Sequence, residues 1–544
     1  MNLHDHITRA AAALFVCATF TAPGLAQDLV ISQIGDDVWG SAGNGLDFDY
    51  YGEFGGIAAF SFATTSCNVG DMEIDWYKSP DTRHPMIGQS IYRVKDGRIE
   101  QVGQSWLKHG FCAADMDGTC GPCAPSAANC DLLGIGCSDT YTAWHNGHND
   151  EGHQSPKFLI DPTTGVLTLS PSDSTPTGDD KIRGRLQVKV EDIDPALNGG
   201  AVFIAEAQYT SEQDHLAGNS RNNVSMRILS VPSLDNITGL YSTIIGEPAI
   251  YLWRYIHNDV LLNEVVNANE GGLGVDGHIF VASRATQLPN GKYRYEYAIQ
   301  NLDSAQAIGS FGLPATCANV QLEDFDQHHV DFHSGELWGS EDWGGSYQDG
   351  MIQWATTPFA VDPNASAIRW GTMANFAFTS NMPPREAEAQ LGMFAPGVST
   401  SLTTTVLSPC DDLRCTFERY CERTPNSVGD GGVIYAFGSA SIVDNDLQLA
   451  ARALPPGQFG IFFYGPEELQ HPFGGGLLCV GASLNRIWPP VQANSLGLVE
   501  LELDLWSAPF NSQPGMIEPG SSWNFQLWYR DPAGPTFSGY NFTD

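Results

Sequence analysis

A chain of 544 residues is too long for one compact core, and its 42% apolar and 11% aromatic content belongs to packed domains rather than to a disordered polymer. With 63 acidic against 26 basic residues the formal net charge is -37, which excludes nucleic acid as a partner, because phosphate neutralisation needs Lys and Arg. Cations, neutral polymers and basic partners remain compatible with such a surface.

The first elements are an export signal and a cysteine framework. Arg9 supplies a basic start, "AAALFVCATFTAPGLA" an apolar core, and "GLA" before Gln27 a small-residue cleavage site after Ala26. Residues 1–26 are therefore read as a signal peptide; Val16 is too large for the position before a lipidated Cys17. No later window is apolar for long enough to span a bilayer. The mature chain is expected to be secreted, periplasmic or on the cell surface, where disulfides are the default. Cys67, Cys112, Cys120, Cys123, Cys130 and Cys137 give the region 27–175 six disulfide candidates, and their spacing leaves the pairing open. "CGPC", Cys120 to Cys123, has the spacing of a redox dithiol, but no amphipathic helix follows it, so structural disulfides are the preferred reading. The later cysteines, Cys317, Cys410, Cys415, Cys421 and Cys479, are odd in number, and the isolated Cys317 is taken as the free thiol.

Two loops in this region carry ligand-like residues. "ADMDGTCG", with Asp115, Asp117 and Gly118, is like the start of a calcium loop but lacks the rest of an EF-hand; Ca2+ held by acidic loops suits an exported chain this acidic. "WHNGHNDEGH" places His145, His148 and His153 beside Asp150 and Glu151, either as secondary metal ligands or as a solvated surface loop.

From 176 onward strand signals dominate. "LQVKV", "AVFIAEAQY", "KYRYEYAIQN" and "AIRWGTMANFAF" fit half-buried or buried strands, and Gly and Pro punctuate them as turns. "PREAEAQLG" near 384 is the best helical candidate. "PGVSTSLTTTVLSPC", 396–410, reads as a linker, since Ser, Thr and Pro have little to bury. "LVELELDLW" and "WNFQLWYRD" then belong to a C-terminal sandwich over 411–544. The expected class is all-β: a multi-domain β-sandwich architecture with long Gly/Pro-rich loops, a disulfide-rich N-terminal region 27–175, and a central sandwich 176–395 able to merge with it.

The densest cluster of chemistry is "HHVDFHSGE", His328 to Glu336, in a chain with 14 histidines. On a strand, His329, Asp331 and His333 share one face while Val330 and Phe332 seek the core. Two imidazoles and a carboxylate suit a transition metal such as Zn, Cu or Fe, with Glu336 as a fourth ligand or general base. The plainer reading is a polar strand face with incidental histidines. Just beyond, Trp338 and Trp343 lie in "LWGSEDWGGSYQDGMIQW", where indoles on a Gly-rich loop can stack on sugar rings; the alternative is that Trp354 and one neighbour are core residues. Serine-hydrolase, P-loop, dinucleotide and haem-attachment motifs are absent.

"FGIFFYGPEELQHPFGGGLLCVGA" with "WNFQLWYRDPAGPTFSGYNFTD", "AIRWGTMANFAFTSN…LGMFAPG" with "HVDFHSGE", and "TTSCNVGD" with "SWLKHGFCA…CGPC…LGIGCSDTYTA" together resemble a group of secreted multi-domain β-rich proteins of environmental bacteria. The resemblance spans most of the mature chain, implies a multi-domain secreted architecture and supplies no catalytic residues. Two functional classes follow: a protein of the cell exterior that binds a glycan, polymer or surface together with metal ions, or a metal-dependent extracellular hydrolase or oxidoreductase using the His329, Asp331, His333 row.

Overall fold

The computed structural model describes residues 26–35, 48–117, 120–150, 152–168, 175–272, 274–315, 320–348, 350–409, 419–437, 442, 445, 447–495 and 497–544. Residues 1–25 of the expected export signal, Gly118, Glu151, Cys317, Cys410 and Cys415 lie outside them. The described chain is all-β and multi-domain, its strands paired antiparallel and its helices short, the longest being Ile250–Ile256.

Through residue 408 the sheets stack in layers. A three-stranded sheet containing Leu29–Ile34 packs on one face of a 10-stranded sheet, with Leu29, Ile31, Phe60, Phe62, Phe203 and Tyr209 between them. The opposite face of the 10-stranded sheet packs on a five-stranded sheet through Tyr92, Ile99, Ile204, Phe280, Ala298 and Met373. That five-stranded sheet in turn covers a second one through Tyr295, Tyr297, Phe376, Phe311, Trp354 and Leu391. The two middle sheets are thus buried on both faces, which is why "AVFIAEAQY" is apolar almost throughout: Phe203, Ala205 and Ala207 enter one core while Ile204 enters the other. Glu206, on the Ile204 face, is a buried carboxylate whose oxygens accept from Tyr92 Oη (2.8 Å), Gln300 Nε2 and the Ala249 amide (2.6 Å); burial raises its pKa.

Two local expectations change. The segment "PREAEAQLG" is not helical but forms the strand Arg385–Met393, with Ala387, Ala389 and Leu391 inward and Glu386, Glu388 and Gln390 exposed. The stretch 396–410 is not merely a linker: Ser401–Ser408 pairs antiparallel with that strand from Arg385↔Ser408 to Gly392↔Ser401 and buries Val406. The C-terminal module has a separate core, built from Leu449, Phe462, Tyr464, Leu503, Leu527 and Tyr529.

The N-terminal cysteines close as Cys67–Cys120, Cys112–Cys130 and Cys123–Cys137, and Cys421 pairs with Cys479. The two thiols of "CGPC" therefore go to different partners, as a structural role requires.

Candidate ligand-binding site at the domain junction

The segment "HHVDFHSGE" lies across the junction between the N-terminal layers and the central sandwich. Its strand, Leu322–His329, ends at His329, so Asp331 and His333 do not continue a strand face with it. His328 Nε2 meets the carbonyl of Gln101 and His333 Nε2 that of Gln104, both at 2.9 Å. Since a carbonyl only accepts, these Nε2 atoms carry the protons. His333 Nδ1 then accepts from Ser334 Oγ at 2.7 Å. His329 Nε2 donates to Ser340 O at 2.9 Å, and its Nδ1 faces Asp342 Oδ1 at 3.5 Å. Asp331 pairs with Lys189 Nζ at 2.9 Å. The expected metal row is therefore divided among three sets of protein partners, and among the described residues no group of three or more His, Cys, Asp or Glu side chains could hold a metal ion.

Glu336, the expected fourth ligand or base, has both oxygens engaged: Oε2 accepts from the Lys157 amide at 2.8 Å and Oε1 from the Phe158 amide at 2.9 Å, at the start of the 3-10 turn Lys157–Leu159. Burial raises its carboxyl to about 7 and lowers the His333 imidazole to about 4. Lys157 Nζ, lowered to about 8 by burial, donates to Gln104 Oε1 (2.8 Å) and Gly371 O (3.0 Å). The nine residues bind the two parts of the molecule together by hydrogen bonds.

The other expected ligands are also placed. His145 Nδ1 meets Thr142 Oγ1 at 2.9 Å; His148 Nε2 lies 3.1 Å from Asp150, and the His148 and His153 rings are 4.2 Å apart. His148 and His153 thus sit together, with His145 on the preceding turn and the Trp144 ring against both His145 and His148. Asp115 accepts from the amides of Gly134 and Ser126, both at 2.7 Å, and Asp117 from that of Cys123 at 3.1 Å, so these carboxylates brace a disulfide loop. Trp343 is a core residue, 4% exposed, with its Nε1 on Ser366 O at 2.6 Å; it is not available for stacking. An interior cluster had no local signal: His84 Nε2 and His109 Nδ1 are 2.8 Å apart, and buried Lys108 Nζ lies 2.9 Å from the Tyr141 ring centre, near buried Asp139.

Trp338 alone of the expected stacking pair borders open space. A pocket of about 280 Å³ opens at the junction, walled by Trp338, Trp370, Arg369 and Ala307 from the central sandwich and by Phe158, Ile160, Asp161 and Thr168 from the N-terminal part. Trp370 is fixed in an apolar cluster with Met86, Leu107, Leu159, Ile160 and Leu167, and Trp338 packs edge-on against Phe332. Glu336 positions this pocket indirectly, by holding the turn that carries Phe158. Arg369, Trp370 and Asp161 were missed because a strand-like "AIRWGTMANFAF" and a short strand, Ile160–Asp161, some 200 positions away give no sign of meeting.

No family model matches the chain, and no curated protein matches it in sequence. Among solved structures, the crystal structure of the Actinomyces fimbrial adhesin FimA aligns at 10% identity over 52% of this chain and 94% of that chain, with a TM-score of 0.12, a value at which likeness carries no argument.

Proposed function

We propose that the protein works outside the cytoplasm as a binding protein that takes one sugar unit of an extracellular glycan in the junction pocket. The observation that carries this reading is the pocket itself: the part-exposed indole of Trp338, backed by the buried Trp370, supplies an apolar face for a pyranose ring, while Asp161 and Arg369 supply an acceptor and a donor for its hydroxyls. Pre-formed walls favour binding, because little side-chain entropy is lost on closure. Disulfides and the export signal read in the first residues support an oxidising, extracytoplasmic location. A metal-dependent reaction at the His329 row finds no support in side chains already bonded to protein partners.

The test is calorimetric titration with a panel of oligosaccharides. Binding to the intact protein should weaken about tenfold in Trp338→Ala, the loss of roughly one aromatic contact, and also weaken in Asp161→Asn, which keeps an oxygen for the amides of Thr163 and Thr164. Sugar binding that neither substitution alters would refute the assignment.

A further inference from the structure

We infer that the junction pocket selects a carboxylated sugar, a uronate-type unit at the end of an otherwise neutral glycan, through Arg369. This rests on the sugar-binding reading and goes beyond it by naming the group recognised.

Arg369 is 6% exposed yet lines the pocket. Its guanidinium lies between two rings, 4.9 Å from the centre of Trp338 and 4.6 Å from that of Phe394. Nη2 is spent on the carbonyls of Pro363 (2.9 Å) and Ala365 (3.0 Å), whereas Nε is buried without a partner and Nη1 has none among the described residues. Asp362 and Glu336 act on this charge from a distance, but no described carboxylate is within ion-pair range of it. A buried cation is ordinarily matched by a contacting anion, because its desolvation is otherwise uncompensated. No described residue supplies that anion, and Nη1, which has no described partner, is the nitrogen left for a ligand on the pocket side, where the guanidinium is already fixed by stacking and by two carbonyls. A carboxylate there gains a charge-assisted hydrogen bond with little ordering cost.

The ring part of the ligand follows from the neighbours. Trp338, backed by the buried Trp370, offers apolar surface beside the cation, and Asp161 can accept hydroxyl protons, so a simple fatty acid or inorganic anion leaves most of the wall unused. The charge of -37 sets a further limit: a polyanionic chain would be repelled along its length, while one terminal carboxylate meets only the local field.

The test compares oligosaccharides ending in glucuronate or galacturonate with the same chains ending in glucose or galactose, titrated into the intact protein. The acidic ends should bind about 10- to 100-fold more tightly, the range for one hydrogen bond to a charged group, and Arg369→Gln should erase that preference. Arg369→Lys, which keeps the charge, should keep part of it. Equal affinity for acidic and neutral ends, still reduced by Trp338→Ala, would overturn the inference and leave sugar binding standing. No binding of any saccharide by a protein with native melting behaviour would overturn both.

Discussion

His333 and Glu336 are three residues apart and respond to acid in opposite senses. The imidazole falls from 6.5 to about 4 in the folded protein, so between those values the unfolded chain binds the extra proton. Its contribution to stability is present above pH 6.5 and lost as the pH falls toward 4. The Glu336 carboxyl rises from 4.5 to about 7, so its contribution is present below 4.5 and lost as the pH rises to about 7. Urea midpoints across pH 4 to 8 should show His333→Gln losing less than the wild type on the acid side, and Glu336→Gln losing less on the neutral side. Curves parallel to the wild type would contradict the placement of these groups. The same residues mark the limit of what the sequence discloses. "HHVDFHSGE" is legible as a polar cluster that must be satisfied, but His328 and His333 meet carbonyls 227 and 229 positions away, and nothing local distinguishes a carbonyl from a metal ion. Likewise Trp338 and Trp343 look alike in their Gly-rich stretch; only the packing of Trp343 against Phe376 separates a core indole from a pocket indole.

At the level of elements, strands dominated the sequence and dominate the structure, because alternation and turn residues are local signals. The misread element has a physical cause. In "REAEAQLGM" Ala, Glu, Gln and Leu all have good helical propensity, yet Ala387, Ala389 and Leu391 alternate inward onto the core, and tertiary burial outweighs propensity. Leu391→Ala should therefore cost about 2–5 kcal/mol by denaturant unfolding, against less than about 0.5 kcal/mol for exposed Glu388→Ala. Near-equal effects would argue against this strand. Pairing of Ser401–Ser408 likewise predicts that proteases spare that segment in the native protein, although its Ser/Thr composition resembles a linker. Early cleavage within 401–408, seen by mass spectrometry of the fragments, would contradict its place in the sheet.

At the scale of the whole molecule, the boundary expected near 175 is crossed by packing and by hydrogen bonds, because the 10-stranded sheet takes strands from both sides of it. The binding pocket is a product of that merger, since its walls come from both parts and are held by Glu336 and Lys157. The C-terminal module has its own core, and none of its described residues lines the pocket. Scanning calorimetry with and without a saturating saccharide ligand tests the central claim most directly, because a ligand stabilises the unit that binds it. The account predicts that the transition belonging to residues 26–409 moves to higher temperature, that the C-terminal transition stays in place, and that Trp338→Ala reduces the shift at the same ligand concentration. A shift confined to the C-terminal transition, or one that survives Trp338→Ala unchanged, would contradict it.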